Sequence, residues 1–232
     1  MAGVSAAWNP GDLTGLAATL LPAESLAGGL LWQNTAKTVP ATADGDPVRV
    51  AVCPYTGVEF TALSDAARPL LWDEGGGRWS LAYDGVDDWL DCTVSWPAVT
   101  VGSQSTRFVT PGSQARCPPV QTLPGALGDW YGYDGLRYAD NFRTARADAY
   151  VAFTPDAAPH TYTQQSGGDY GVWVDGTRLL TVAAAWQTPT GLRSGANTGI
   201  SFLSGRISGT IVAASSWDAA TRLAVETYLG AL

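Results

Sequence analysis

The run Trp79-Ser80-Leu81-Ala82-Tyr83-Asp84 alternates large apolar side chains with small or polar ones. A period of two is the repeat of a strand with one buried face. The run ends on Asp84-Gly85, a turn pair in which glycine accepts a positive φ. Val86, Trp89 and Leu90 then bring apolar side chains back around Asp87 and Asp88. One strand therefore enters a core, turns at its end and feeds a second. The alternation recurs at Val48, Val50 and Val52, at Cys92, Val94 and Trp96, and over residues 160–165. Residues 170–174 and 177–182 flank Asp175-Gly176, the clearest hairpin signal in the chain. Gly75, Gly76 and Gly77 mark a hairpin tip or a strand connector, and no GK[ST] follows them to make a phosphate loop.

Only the two ends depart from this pattern. Leu13, Leu16, Leu20 and Leu21 fit a short helix limited by Gly15 and Pro22, with Asp12 as a candidate cap. Asp218 can cap a helix over 218–230 whose apolar positions are Leu223, Val225, Tyr228 and Leu229. Neither repeats nor linkers are visible, so one domain is expected over 1–232, with 1–30 as an opening segment. The predicted fold is all-β: a two-sheet antiparallel β-sandwich of the jelly-roll kind, with a short C-terminal helix.

Charge and cysteine usage exclude several classes. The net charge is −8 and no basic block interrupts it, which disfavours nucleic-acid binding. No apolar run approaches the ~20 residues of a membrane span. The N-terminus lacks a basic segment followed by an apolar one, so no signal peptide is expected and the chain is read as a complete domain made in a cytoplasm. Cys53, Cys92 and Cys117 are an odd number without CxxC spacing, and His160 is the only histidine. Zinc is thereby disfavoured. Buried free thiols are expected, with one bridge plus a spare thiol left open.

Tyr83-Asp84-Gly85-Val86-Asp87-Asp88-Trp89-Leu90 resembles the F-D-G-x-D-D-x-L signature of concanavalin-A-like lectin/glucanase domains of the laminin-G-like kind, with Tyr83 in place of the usual Phe. Upstream, Leu31-Trp32-Gln33-Asn34-Thr35-Ala36, the lead-in Pro40-Ala41-Thr42-Ala43-Asp44-Gly45-Asp46-Pro47-Val48 and Ala67-Arg68-Pro69 look like phage-encoded members. Downstream, Val172-Trp173-Val174-Asp175-Gly176-Thr177, Gly205-Arg206-Ile207 and Ala219-Ala220-Thr221-Arg222 look like the closing part of such domains. The resemblance implies a sandwich whose opening Trp packs near the last strand and whose chain ends in a helix. It does not fix function, because the family binds many things.

Three chemistries are open to such a frame. Retaining glycoside hydrolases of this fold carry two glutamates around an aspartate on one strand, close to E-x-D-x-E. Glu24, Glu59, Glu74 and Glu226 are far apart in sequence, and no GxSxG surrounds a serine. A non-enzymatic protein is therefore expected, with His160 structural. Asp84, Asp87 and Asp88, with Asp91 close by, are candidate calcium ligands, since calcium takes six to eight oxygens; turn formation or pairing with arginine is the competing reading. Sugars stack C–H faces on aromatic rings and offer hydroxyls to Asp and Asn. Trp130, Tyr131, Tyr133, Asp134 and Tyr138 form one candidate glycan-binding group, and Trp186 with Asn197 a second. Subunit contact and core packing are the alternatives for these rings.

The function expected from this reading is a virion surface protein of a phage or phage-like particle: a head spike or fibre, a decoration protein or a tail-associated adhesin. Its partners would be host surface polysaccharide and other virion proteins, in an oligomeric or multi-copy arrangement at the virion surface. A stand-alone bacterial lectin-like module and a glycan-cleaving enzyme are the alternatives.

Overall fold

A computed structural model describes residues 8–94, 101–111, 119–123, 129–133, 136–139, 150–152, 156–167, 169–183, 189–197 and 201–232. Its larger sheet has eight strands. In spatial order these are Thr177–Ala183, Asp169–Val174, His160–Gly167, Gly102–Val109, Ser204–Ala213, Arg78–Asp84 and Leu70–Gly75, with Leu16–Leu20 added beside Ser204–Ala213. The smaller sheet runs Leu31–Trp32, Val50–Val52, Glu59–Thr61, Leu90–Thr93, Gly191–Ser194 and Val120–Leu123. Asp129–Tyr133, Leu136–Ala139 and Tyr150–Ala152 form a separate three-stranded sheet. The pairings described are antiparallel.

The alternation that opened the sequence reading sorts side chains between two faces. Leu81 and Tyr83 are buried between the sheets with Phe60, Leu90, Phe108 and Ile207, and Trp79 packs against the same cluster. The turn at Gly85 (φ 81°) sends the chain across to the other sheet, since Arg78–Asp84 and Leu90–Thr93 belong to different sheets. Asp175 (φ 48°) and Gly176 (φ 78°) both sit in the left-handed region, the requirement of a two-residue hairpin turn whose twist matches its strands. The glycine triplet closes a hairpin between Leu70–Gly75 and Arg78–Asp84.

A second apolar layer covers part of the outer face of the larger sheet. Helix α2 (Ala219–Ala231) follows the N-cap Asp218, whose Oδ1 accepts the Thr221 N–H at 2.7 Å. It lays Val225 and Leu229 on Ile211, Ala213 and Trp217. Trp8 joins this layer and meets Tyr228 edge-on at 5.3 Å, so the opening tryptophan does pack near the last strand. Leu223, expected on the apolar face, is instead 62% exposed.

The opening segment corrects the sequence reading. Residues 16–20 form a strand, Leu16–Leu20, paired with Ser204–Ala213, and the helix α1 (Pro22–Ala27) starts only at Pro22. The leucine spacing fits a helix, but the backbone groups of that segment find strand partners some 190 positions away (Leu20 beside Thr210). Pro at the first helical position fits the beginning of α1. The cap of the preceding 3-10 turn is Asn9, whose Oδ1 accepts the Gly11 N–H at 2.7 Å, and not Asp12.

Candidate functional site

The acidic run after Tyr83 is first a folding device. Asp84 Oδ1 accepts the N–H groups of Val86 (2.7 Å) and Asp87 (3.3 Å), and Asp88 Oδ2 accepts the Asp84 N–H (3.0 Å). Asp91 leaves the group and forms a bidentate pair with Arg193 at 2.6 and 2.7 Å, with the guanidinium over the Trp89 ring. The remaining carboxylates, Asp84, Asp87 and Asp88, bring ligand oxygens within 4.8 Å of one another. Asp88 is 5% exposed, and burial, reinforced by its two acidic neighbours, pushes its carboxyl up to about 7. This donor set is all-oxygen and short of the six to eight that calcium takes, so carbonyls or water would have to complete it.

His160 stands between two aspartates. Its Nδ1 meets Asp175 Oδ2 at 2.7 Å and its Nε2 meets Asp156 Oδ1 at 2.8 Å. Cys53 and Cys92 are free and buried, and burial pushes the Cys92 thiol up to about 12; Cys117 lies outside the described residues.

The sequence-predicted sugar sites are placed in part. Trp130, Tyr131 and Tyr133 lie on Asp129–Tyr133 and Tyr138 on Leu136–Ala139, with Trp130 and Tyr138 directly opposite in register. Asn197 ends the two-residue strand Ala196–Asn197 and faces Ser201. Asp134 and Trp186 lie outside the described residues.

The site that the sequence reading missed is on the outer face of the larger sheet, where α2 does not reach. In register, Leu70, Ala82, Arg206 and Val109 form one row across four strands. Trp72 stands in the next row opposite Ser80 and is 42% exposed, while its neighbour Leu71 is buried in the core. Arg206 lies over the Trp72 ring at 5.3 Å, and its Nε donates to Glu74 Oε1 at 2.7 Å. Ser80 Oγ–H donates to the same oxygen at 2.7 Å. Trp72 and Arg206 wall a groove of about 410 Å³ that Ala82, Val109, Thr110 and Ser204 complete, and Glu74, itself bonded to Ser80, holds Arg206. A separate hollow of about 50 Å³ shares Val109 and Arg206 with it and is lined also by Glu74, Arg78, Arg107 and Leu232. An exposed indole beside hydroxyls and charged hydrogen-bonding groups is the chemistry that holds a sugar ring by one face and its hydroxyls at the rim. Residues 64–78 read as loop in the sequence, since Leu70-Leu71-Trp72 carries no apolar–polar alternation; they hold the strand Leu70–Gly75 instead, and the other walls of the groove come from strands far away in sequence. A second, more polar cavity of about 350 Å³ lies at the start of α2, between Trp8, Thr14, Trp217 and Asp218.

No protein-family model matches this chain, and no curated protein matches it. Solved structures do. A Trypanosoma rangeli sialidase in complex with the inhibitor DANA matches with a TM-score of 0.56 and 12% identity, over 88% of this chain and 36% of the sialidase. The same sialidase in complex with sialic acid gives 0.55 and 11%, again over 88% and 36%. The receptor binding domain of the botulinum neurotoxin C/D mosaic serotype gives 0.62 and 8%, over 92% of this chain and 51% of that one. The chain thus spans about a third to a half of the length of these structures. At such identities the likeness establishes the fold alone: a two-sheet antiparallel β-sandwich of the jelly-roll kind.

Proposed function

We propose that this protein is a non-enzymatic carbohydrate-binding protein at the surface of a phage or phage-like particle, a spike, fibre, decoration protein or tail-associated adhesin that holds host polysaccharide. The observation that carries the carbohydrate part is the groove beside the exposed Trp72 ring, lined by Arg206, Thr110 and Ser204, with Arg206 held by Glu74. The fold is compatible, since a receptor binding domain and a sialidase share it, but fold alone does not assign a ligand. The lead-in over 40–48 supports the phage assignment by resemblance. Multiple copies on a particle would make a weak single site sufficient, because linked sites raise effective concentration.

The four glutamates support the non-enzymatic reading. Glu24 meets the Tyr228 hydroxyl, Glu59 meets Lys37, Glu74 meets Arg206, and Glu226 accepts the Thr163 hydroxyl at 2.7 Å. Each is on a different element and occupied there, so the facing carboxylate pair of a retaining hydrolase is not formed by glutamates. Release of reducing ends from a host polysaccharide would favour the enzyme alternative.

The test is retention on a glycan array and on host cells by the wild type, Trp72→Ala and Trp8→Ala. Retention by wild type and Trp8→Ala, lost in Trp72→Ala with an unchanged melting curve, supports this site. Loss in Trp8→Ala alone moves it to the polar cavity by α2. Particle imaging that finds the chain on no capsid or tail removes the virion role. Calcium held by Asp84, Asp87 and Asp88 belongs to the same proposal: it would replace the proton on Asp88 and offset most of the charge of the three carboxylates. At about pH 8 calcium should raise the melting temperature over EDTA, and coincident curves would remove it.

A further inference from the structure

The groove beside Trp72 carries a charge that the chain as a whole does not predict. The protein has 13 Lys and Arg against 21 Asp and Glu. Yet Arg206 lines the groove and, with Arg78 and Arg107 from two other strands, also lines the small hollow adjoining it, where the one carboxylate among the described lining residues is Glu74. That carboxylate is already engaged by Ser80 and by Arg206 Nε. Among the described residues Arg78 donates to backbone carbonyls, of Gly75 at 3.3 Å and of Glu74 at 3.5 Å. Arg107 is half-buried, and among the described residues its partner is the Thr161 hydroxyl at 3.3 Å. Asp175 is the acid that acts on Arg107, but its oxygens are held by the Thr161 N–H at 2.8 Å and by His160 at 2.7 Å.

Guanidinium groups taken partly out of water without a paired anion cost free energy, and they are ordinarily neutralised by a carboxylate of the same chain. Here Arg107 is half-buried with no carboxylate bonded to it among the described residues, and it stands beside the exposed Arg78 and the Glu74-paired Arg206, next to an aromatic face. A guanidinium fork matches a carboxylate in geometry as well as in charge. We propose that the groove binds an acidic saccharide, with a sugar ring against Trp72 and its carboxylate on the arginines. This rests on the carbohydrate reading above and narrows it to one ligand class. It also explains how a protein of net charge −8 would hold a polyanion: attraction is local, within about 10 Å at ordinary salt, and the remaining acidic surface is screened beyond that distance.

The probes that isolate the carboxylate are oligogalacturonate and its methyl ester, which differ in charge and scarcely in shape, with dextran sulfate as a plain polyanion. Affinity would be measured by calorimetry for the wild type, Trp72→Ala, Arg78→Gln and the double variant Arg78→Gln/Arg107→Gln, each with its melting curve. The acid form should bind about tenfold or more tightly than the ester, and the double variant should lose about tenfold on the acid alone. Arg78 is exposed, so Arg78→Gln should show part of that loss with an unchanged melting curve even where the double variant is destabilised. Trp72→Ala should weaken both forms. Equal binding of acid and ester, lost together in Trp72→Ala, would sink the acidic preference and leave the carbohydrate reading standing. Dextran sulfate binding as tightly as oligogalacturonate would reduce the groove to an ion exchanger and overturn the proposal. Retention of neither saccharide removes the proposal and the reading beneath it.

Discussion

Single residues in this fold are held by partners that sequence distance hides, and their energetics follow from those partners. His160 is the plainest case. The Asp175 hydrogen bond raises its pKa, burial opposes, and Asp156 adds to the rise. Asp156 is held below the usual carboxylate range by the Ala158 N–H and by His160; for Asp175 burial pushes upward, but the His160 and Thr161 bonds outweigh it. A raised histidine contributes stability that is fully present below its unfolded pKa of about 6.5 and is lost as pH rises through the folded value. The lowered aspartates contribute stability that is lost as pH falls through their folded values. His160→Gln should therefore melt below the wild type by about 1 kcal/mol, roughly 2–4 °C, at about pH 5–6. The gap should close towards about pH 9 and again in strong acid. A gap independent of pH would show that packing, and not charge, sets the role of His160. Gly195 is a second case. Its φ is +88°, and a Cβ there would lie 2.3 Å from the Tyr83 ring, whose hydroxyl shares a 2.8 Å hydrogen bond with Ser194. Gly195→Ala combines left-handed strain with overpacking and should cost about 2–4 kcal/mol in chemical denaturation.

At the scale of elements, legibility in the sequence followed how local the deciding interaction is. The 79–84 strand was readable because its own alternation states which face is buried. The Asp175-Gly176 hairpin was readable because the turn itself demands those residue types. The Asp218 cap was readable because its partner, Thr221, is three residues on. Residues 16–20 were not, since leucines at helical spacing satisfy a helix until Ser204–Ala213 is brought alongside. Leu223 failed for a related reason: an apolar residue on a helix says nothing about where the sheet beneath it ends. What fastens α2 is in part cationic. Trp173 lies between Arg222 of the helix at 4.2 Å and Arg178 of the neighbouring strand at 4.9 Å, with Glu226 bonded to Thr163 beside it. Trp173→Ala removes a buried indole and both stacking contacts, and should cost about 3–5 kcal/mol. Arg222→Ala, which leaves the ring covered by Arg178, should cost about 1 kcal/mol. Equal losses in the two variants would contradict this assignment of the docking energy to the ring.

At the scale of the molecule, the groove and the protection of the sheet depend on the same edge. Leu70–Gly75 ends the larger sheet and carries Trp72, and a bare edge strand is a template for pairing with another chain. Here the lead-in lies along it. The Leu71 N–H donates to the Asp46 carbonyl and Gly45 N–H to the Leu71 carbonyl, both at 2.8 Å, and the Asp73 N–H reaches Asp44 Oδ1 at 2.9 Å. Asp46 also closes the strap on itself, its Oδ2 accepting the Thr42 and Ala43 N–H groups at 2.8 and 2.9 Å. The lead-in was legible as a motif, yet its physical use was not, because the strand it covers is 25 residues further on (Asp46 to Leu71). Asp46→Ala keeps every backbone bond possible while removing what shapes the strap, so its direct cost should be small, about 1 kcal/mol or roughly 2–4 °C. The larger effect should be on association: a loosened strap leaves the Trp72 strand open to a second copy, and sedimentation should show association growing with concentration beyond that of the wild type. Because such pairing would run beside the groove, the same variant should lose saccharide affinity as it associates and regain it on dilution. A variant that associates no more than the wild type at every concentration would mean that the twist of the edge, and not the lead-in, keeps it single.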